Sequence, residues 1–370
     1  MKTDPRKALI LAPATRWGSW AWLERVIDAS PPDVSWIVVA YGRPARRMDR
    51  VRFVTLPAVD YARLGLKMSQ RWLWPLNLVF YLPLLPIAWF QAVRHRPATL
   101  IGNGLAPTVA LSPLRALGFR LVLAYHGYVG PAPAPVLGLL KSMLAACQAA
   151  FVNSRTSLDD LSRLLPRNRI LMVEHWADDV FFQTSLEKPA RTPPVVLCVG
   201  RLYAEKFGQC VRVCTDLAKR GYIEFVAVGE GPLAAEIAAT PNCRHHTYIE
   251  DRRELAALYE EAAVVWAPAD VTYLSIPGVE ALAAGCPVIV TDIPAVEIKA
   301  QRGVRIPRDL VPAGIGLVVD GDDDREAESA VETLVTAAQD EAVRRACREH
   351  ASRHHSSANL RRLVTAMLRL

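Results

Sequence analysis

Short apolar runs recur along the chain, each followed by a turn and then by a stretch with helical spacing. They fall at 7–12, 34–40, 52–56, 99–103, 120–124, 149–153 and 169–173, then again at 195–199, 224–228, 264–268, 288–290 and 316–319. The runs are too short for free-standing helices. They are rich in Val, Ile and Leu and lack a polar alternate face, which marks strands buried on both sides. Strands alternating with helices predict parallel sheets, because a crossover helix is the usual way back to the same sheet edge. With 370 residues, 51% of them hydrophobic, there is material for two cores of this α/β, doubly wound kind. A Pro-rich stretch at 187–194 separates the two series and reads as a linker. The expected domains are 1–188 and 189–355, with a short helical segment 356–370 at the end.

Charge divides the chain as well. Residues 1–180 carry 22 Lys and Arg against 11 Asp and Glu, whereas 181–370 carry 22 against 26, and the whole chain stands at +7. A basic first half fits an anionic partner such as a lipid headgroup or a phosphorylated acceptor. Nucleic acid is not expected, since there is no basic repeat interleaved with aromatics, no RNP pattern and no zinc spacing. The seven cysteines (147, 198, 210, 214, 243, 286 and 347) form no C-x-x-C pair and mostly sit in apolar runs. They read as reduced thiols, and with no apolar leader after Met1 they predict a cytoplasmic protein.

Several strand ends carry chemistry. The first apolar run leads through Trp17, Gly18 and Ser19 into a helical pattern, which is either a phosphate-approaching turn or an ordinary βα turn. His126 follows the run at 120–124, at the strand end where α/β sheets bind ligands; a structural His would sit there equally well. Gly200-Arg201 and Lys206 follow 195–199, and two cations at a βα turn can neutralise a diphosphate. Gly229 and Gly231, in a G-x-G-P turn, follow 224–228. Pro277 and Gly278 open a small-residue helix that Gly285 stops before a β-branched strand, and a helix start at a sheet edge is an anion site. Glu280 beside such a site calls for hydrogen-bond donors, for instance a ribose diol.

Residues 72–90, from Trp72 to Phe90, contain a single polar side chain, Asn77, and are flanked by Arg71 and by Arg94-His95-Arg96. Their length barely reaches that of a membrane span, and Pro75, Pro83 and Pro86 interrupt it. A core helix or acceptor groove, a peripheral membrane contact and a span all remain open.

Taken in order, these motifs resemble the donor site of GT-B glycosyltransferases, specifically the retaining family 4, of the group 1 type. Glu280 and the run Ala281 to Val288 match that family's second Glu and its "GxPV" helix, while Thr272 stands where its first Glu falls. The resemblance covers most of the second domain and the first more loosely. It implies two Rossmann-like domains facing across a cleft, acceptor in 1–188 and nucleotide-sugar in 189–355, with the last helix packed on the first domain. It implies retaining transfer from a nucleotide-diphosphate sugar to a glycan or lipid-linked acceptor, such as a polysaccharide precursor. That sugar is the substrate, and neither metal nor other cofactor is implied. By the same resemblance His126, Arg201 and Lys206 are catalytic, and Gly18, Gly200, Gly229, Gly231, Thr272, Ser275, Ile276 and Glu280 bind the donor. The expected location is the cytoplasm, including the inner face of its membrane. Two other readings use the same residues: a non-catalytic or altered-donor GT-B protein, for which Thr272 speaks, and a GT-B sugar-nucleotide epimerase.

Overall fold

The computed structural model describes residues 3–12, 18–42, 48–57, 81–125, 134–187, 191–268, 274–292 and 306–369. The chain forms two compact units, residues 1–173 with 360–370, and residues 174–359. Among the described residues of the first unit, seven strands form one sheet: β1 (Asp4–Leu11), β2 (Ser35–Tyr41), β3 (Val51–Leu56), β4 (Pro97–Asn103), β5 (Arg120–Tyr125), β6 (Ala149–Val152) and β7 (Ile170–Met172). Their order is β3-β2-β1-β4-β5-β6-β7, and neighbouring strands run parallel. Ala8, Leu9, Ile10 and Leu11 are all fully buried, so both faces of the sheet are covered, as the uninterrupted apolar runs require.

The second unit repeats the plan with β8 (Val195–Val199), β9 (Glu224–Val228), β10 (Cys243–His246), β11 (Val264–Trp266), β12 (Val288–Asp292) and β13 (Gly316–Asp320), in the order β10-β9-β8-β11-β12-β13. Alternate residues of β8 feed two cores. Val195 and Leu197 pack with Tyr259, Val279 and Leu282, whereas Val196 and Cys198 pack with Phe207, Val211 and Leu334. The seven cysteines are free thiols, six of them buried. In each sheet the strand order reverses beside the first strand, between β1 and β4 and between β8 and β11. Such reversals open a crevice at the carboxyl ends of the strands, which is where open α/β sheets hold ligands.

Three elements differ from expectation for identifiable reasons. β10 was not foreseen, because Cys-Arg-His-His has no apolar run; it is an edge strand, and Arg244 lies over Glu224 and Glu261 instead of entering a core. The helix expected from about residue 20 begins at Gly18 and runs to Asp28. Residues 174–187, read from the sequence as the close of the first domain, group with the second unit. Phe181 is fully buried there, Thr184 Oγ1 donates to the Ala284 carbonyl (3.3 Å), and Arg344 Nε donates to the Leu186 carbonyl (2.6 Å). At the other end, 360–370 belong with the first unit, where Arg120 Nη2 donates to the Ala366 and Met367 carbonyls.

Of the apolar stretch 72–90, residues 72–80 lie outside the described residues, and the rest leads into the helix Leu84–His95. Among the described residues no helix is long and apolar enough to cross a membrane.

His355, at the end of the helix Glu341–His354, is buried, and its Nδ1–H donates to the His175 carbonyl (2.9 Å). Burial, opposed by that hydrogen bond and aided by nearby His354, lowers its pKa from 6.5 to about 4. The unfolded chain therefore takes up this proton near pH 6.5 and the native one only near 4, so stability falls as pH drops through that window. The loss reaches about 3 kcal/mol at its lower end. Urea unfolding at pH 7.5, 5.5 and 4.5 should show that slope in the native chain and a shallower one in His355→Asn. Equal slopes would contradict this assignment.

Candidate functional site

The carboxyl ends of β8 and β9 are knitted into one surface. Gly200 N–H donates to the Val228 carbonyl (2.9 Å), Leu202 N–H to Glu230 (2.9 Å) and Gly229 N–H to His246 (2.9 Å). His245 Nε2–H donates to the Gly229 carbonyl (2.7 Å). This weave demands glycine: Gly229 has φ +136°, and a Cβ there would lie 1.8 Å from the Gly200 carbonyl oxygen. Gly231, at φ +154°, would place its Cβ 2.5 Å from the Leu202 oxygen. Side chains are thereby kept off a strip of backbone at the ends of β8 and β9, next to the strand-order reversal between β8 and β11.

Arg201 and Lys206 follow directly. Arg201 is exposed, yet partial desolvation of its guanidinium holds its pKa below the ordinary arginine value. Lys206 lies in the first turn of the helix Ala204–Lys219, whose N-cap Tyr203 contributes no side-chain hydrogen bond. A cation there opposes the helix dipole by about 0.3–1 kcal/mol, a placement that makes sense beside a bound anion.

β11 leads to the third component. Ser275 is the N-cap of the helix Ile276–Ala283, but its side chain makes no capping hydrogen bond. Its Oγ is buried and has no hydrogen-bond partner among the described residues. Ile276 begins the helix and Pro277 follows, so the free-ended N–H groups of this first turn come from Ile276 and Gly278.

Glu280, one turn further on, is 1% exposed. Arg252 Nη2 donates to its Oε1, and the Tyr259 hydroxyl donates to Oε2 (3.2 Å). Arg252 Nε in turn donates to Asp178 Oδ2 (2.9 Å). Its guanidinium lies 4.8 Å from the centre of the Phe181 ring, which meets Tyr259 edge-on at 5.3 Å. Burial works against the charge of Arg252, but Glu280 and Asp178 outweigh it and raise its pKa. Burial and the Glu280 carboxylate push the Tyr259 phenol up.

The structure thus sets Gly200, Arg201, Lys206, Gly229, Gly231, Ser275 and Ile276 on the ends of the adjacent strands β9, β8 and β11 and the helices that follow them. Glu280 belongs to the same helix as Ile276, with its carboxylate turned into a buried ion-pair network. Gly18 lies in the other unit, and His126 and Thr272 lie outside the described residues. The acidic turn 320–324 is a helix cap: Asp323 Oδ1 accepts from Arg325 N–H (3.0 Å) and Glu326 N–H (2.9 Å). Among the described residues no group of three or more His, Cys, Asp or Glu is arranged to hold a metal ion.

Sequence reasoning missed Arg252, Tyr259 and Asp178, the partners of Glu280. A buried Glu needs a cation, but nothing in the pattern distinguishes Arg252 from its neighbour Arg253. It also passed over Asn103, at the end of β4 beside the reversal in the first sheet. Asn103 is 6% exposed, and neither its Oδ1 nor its Nδ2 has a partner among the described residues.

Residues 193–337 match the family model described as Glycosyl transferases group 1. Among curated proteins no sequence matches significantly. Solved structures with the same fold include sucrose-phosphate synthase from Thermosynechococcus elongatus, at 17% identity, with 98% of each chain covered and a TM-score of 0.72. Anabaena HepE in complex with UDP and glucose aligns at 14% identity over 98% of this chain and 99% of that one, with a TM-score of 0.71. The lipopolysaccharide outer core galactosyltransferase WaaB in its apo form aligns at 13% over the same shares, with a TM-score of 0.64. The chain has the α/β fold of the GT-B glycosyltransferases, and its second unit carries the group 1 match.

Arg252→Met should strip the buried Glu280 carboxylate of its cation and cost about 3–5 kcal/mol in urea unfolding. The double variant Arg252→Met/Glu280→Met should recover most of that loss. A single-variant cost below about 1 kcal/mol, the scale of a surface pair, would contradict the buried-pair assignment.

Proposed function

We propose that this chain transfers a sugar from a nucleotide-diphosphate donor held by the second unit to an acceptor bound by the first, with retention at the anomeric carbon. The observation that carries this reading is the Ser275 hydroxyl, buried without a partner among the described residues at a helix N-terminus on the edge that also bears Gly200, Arg201 and Lys206. A buried donor with nothing to bind costs about 1–3 kcal/mol, which a bound phosphate oxygen would return. The group 1 match of residues 193–337 supports the same placement.

In this reading the bare backbone at Gly229 and Gly231 lets the nucleotide approach the sheet edge. Arg201, Lys206, the Ser275 hydroxyl and the Ile276 N–H surround the diphosphate. As the glycosidic bond breaks, negative charge grows on the departing phosphate, and these groups stabilise it more than they do the intact donor. The acceptor hydroxyl attacks the anomeric carbon from the face the phosphate is leaving, and its proton passes to the departing phosphate oxygen. No carboxylate nucleophile is then required. Glu280 serves as an anchor of the phosphate-binding helix, and a ribose hydroxyl would share its carboxylate with Arg252 and Tyr259. By the family resemblance His126 and Thr272 would serve the donor sugar, Thr272 offering a hydroxyl in place of a carboxylate. Gly18 and Asn103 belong to the first unit, where the Asn103 amide, without a partner among the described residues, suits a sugar hydroxyl.

UDP-sugars are the first donors to test, given the HepE complex with UDP and glucose. A glycan or lipid-linked precursor is the acceptor class, in keeping with the WaaB likeness.

A thermal-shift screen of UDP-, GDP-, ADP- and TDP-sugars should select one base. With that donor, Lys206→Ala should lower turnover on the order of 100-fold with the fold intact by circular dichroism. Ser275→Ala should weaken nucleoside diphosphate binding without lowering stability, because the removed hydroxyl has no partner among the described residues. Unchanged turnover in Lys206→Ala would refute the assignment.

A further inference from the structure

Three of the chain's eight histidines, His350, His354 and His355, gather at the end of the helix Glu341–His354. His350 and His354 stand four residues apart and so share one face of that helix. Their ring centres are 4.7 Å apart, with the planes inclined at 36°. The His355 ring lies further off, at 5.7 Å from His350 and 6.3 Å from His354. Among the described residues neither the His350 ring nor the His354 ring makes a hydrogen bond. Each neutral imidazole keeps a lone pair on one ring nitrogen, so two unused ligands for a cation stand side by side.

The spacing fits a shared metal ion. A metal–nitrogen bond of about 2.0–2.1 Å puts the ion about 3.2 Å from each ring centre, so two rings on one ion have centres about 4.5 Å apart at a right angle and about 5.2 Å apart at the tetrahedral angle. The observed 4.7 Å falls between these values. His355 does not fit, because it is too far from both rings and its Nδ1–H is given to the His175 carbonyl (2.9 Å). Two protein ligands agree with the finding that, among the described residues, no group of three or more is arranged to hold a metal ion. A carboxylate is at hand to offset the ion's charge: Glu174 Oε2 lies 3.9 Å from His355 Nδ1, and its charge is felt at His350. Paired imidazoles favour a first-row transition ion, whereas Mg2+ and Ca2+ take oxygen ligands.

We propose that His350 and His354 chelate a divalent transition-metal ion of the zinc, nickel and copper class, with water completing its coordination and Glu174 balancing its charge. The segment that begins at Glu174 is already tied to this helix end, since Ala177 N–H donates to the His355 carbonyl (2.8 Å). An ion beside Glu174 strengthens that tie, and the same segment carries Asp178 and Phe181, which hold Arg252. None of the chelating residues is among those proposed to hold the sugar donor.

Isothermal titration of the whole chain, carrying no histidine tag and stripped of metal with a chelator, tests this without any donor or acceptor. Ni2+ and Zn2+ should each bind one to one and raise the melting temperature, and Mg2+ and Ca2+ at the same concentration should do neither. His354→Asn alters an exposed side chain, so the fold should be kept while Ni2+ binding weakens roughly 100-fold, the scale for losing one arm of a two-armed ligand. His350→Asn should do the same, whereas His355→Asn should retain the site. Failure of millimolar Ni2+ to bind would overturn the proposal and leave the two rings a stacked pair. So would binding that survives His354→Asn, which would put the ion on thiols or on other histidines. Because no sugar transfer is measured, the outcome stands apart from that of the Lys206 experiment.

Discussion

A carboxylate carried into a fully apolar helix has to be paired, and much of the second unit follows from how Glu280 meets that demand. Its cation, Arg252, comes from the helix Arg252–Glu261 and is itself held by Asp178 and the Phe181 ring. Two segments distant in sequence, around 178–181 and 252–259, are thereby locked to the helix Ile276–Ala283. Removing Arg252 leaves the Glu280 carboxylate buried without its cation, whereas Arg252, about a third exposed, would still pair with Asp178 if Glu280 were removed. The result is a helix start held in one place at the sheet edge, with the Ser275 hydroxyl beside it. A preorganised donor of this kind is useful where negative charge develops during a reaction, because no reorganisation is required when the charge appears.

Backbone packing supplies the other half of the site. Gly229 and Gly200 approach so closely that no side chain fits between β9 and β8, and the helix beginning at Ala204 brings Lys206 to the same edge. The sheet order places these loops beside the one after β11. Fold and proposed chemistry are thus linked through one feature, the strand-order reversal next to β8.

The strands buried on both faces were legible in the sequence because double burial leaves uninterrupted apolar runs, as in Val195–Val199 and Arg120–Tyr125. β10 was not, since an edge strand with Arg244 and two His side chains presents no such run. The glycines and the Arg201–Lys206 spacing were readable because their local backbone needs are strict. The partners of Glu280 were hidden, because pairing across 28 residues leaves no local pattern. The Pro-rich stretch at 187–194 follows the division between the two compact units, since composition records a change of chain stiffness and says nothing of where Phe181 packs. Segment 72–90 was ambiguous for a physical reason: the described helix it leads into is apolar on both its buried and its exposed face.

The most direct test of the account is a crystal structure of the chain soaked with UDP. The diphosphate should lie within hydrogen-bond reach, about 3 Å, of the Ser275 hydroxyl and the Ile276 N–H, with Arg201 and Lys206 turned toward it. A diphosphate bound elsewhere, with Ser275 still unpartnered and both cations directed into solvent, would contradict it.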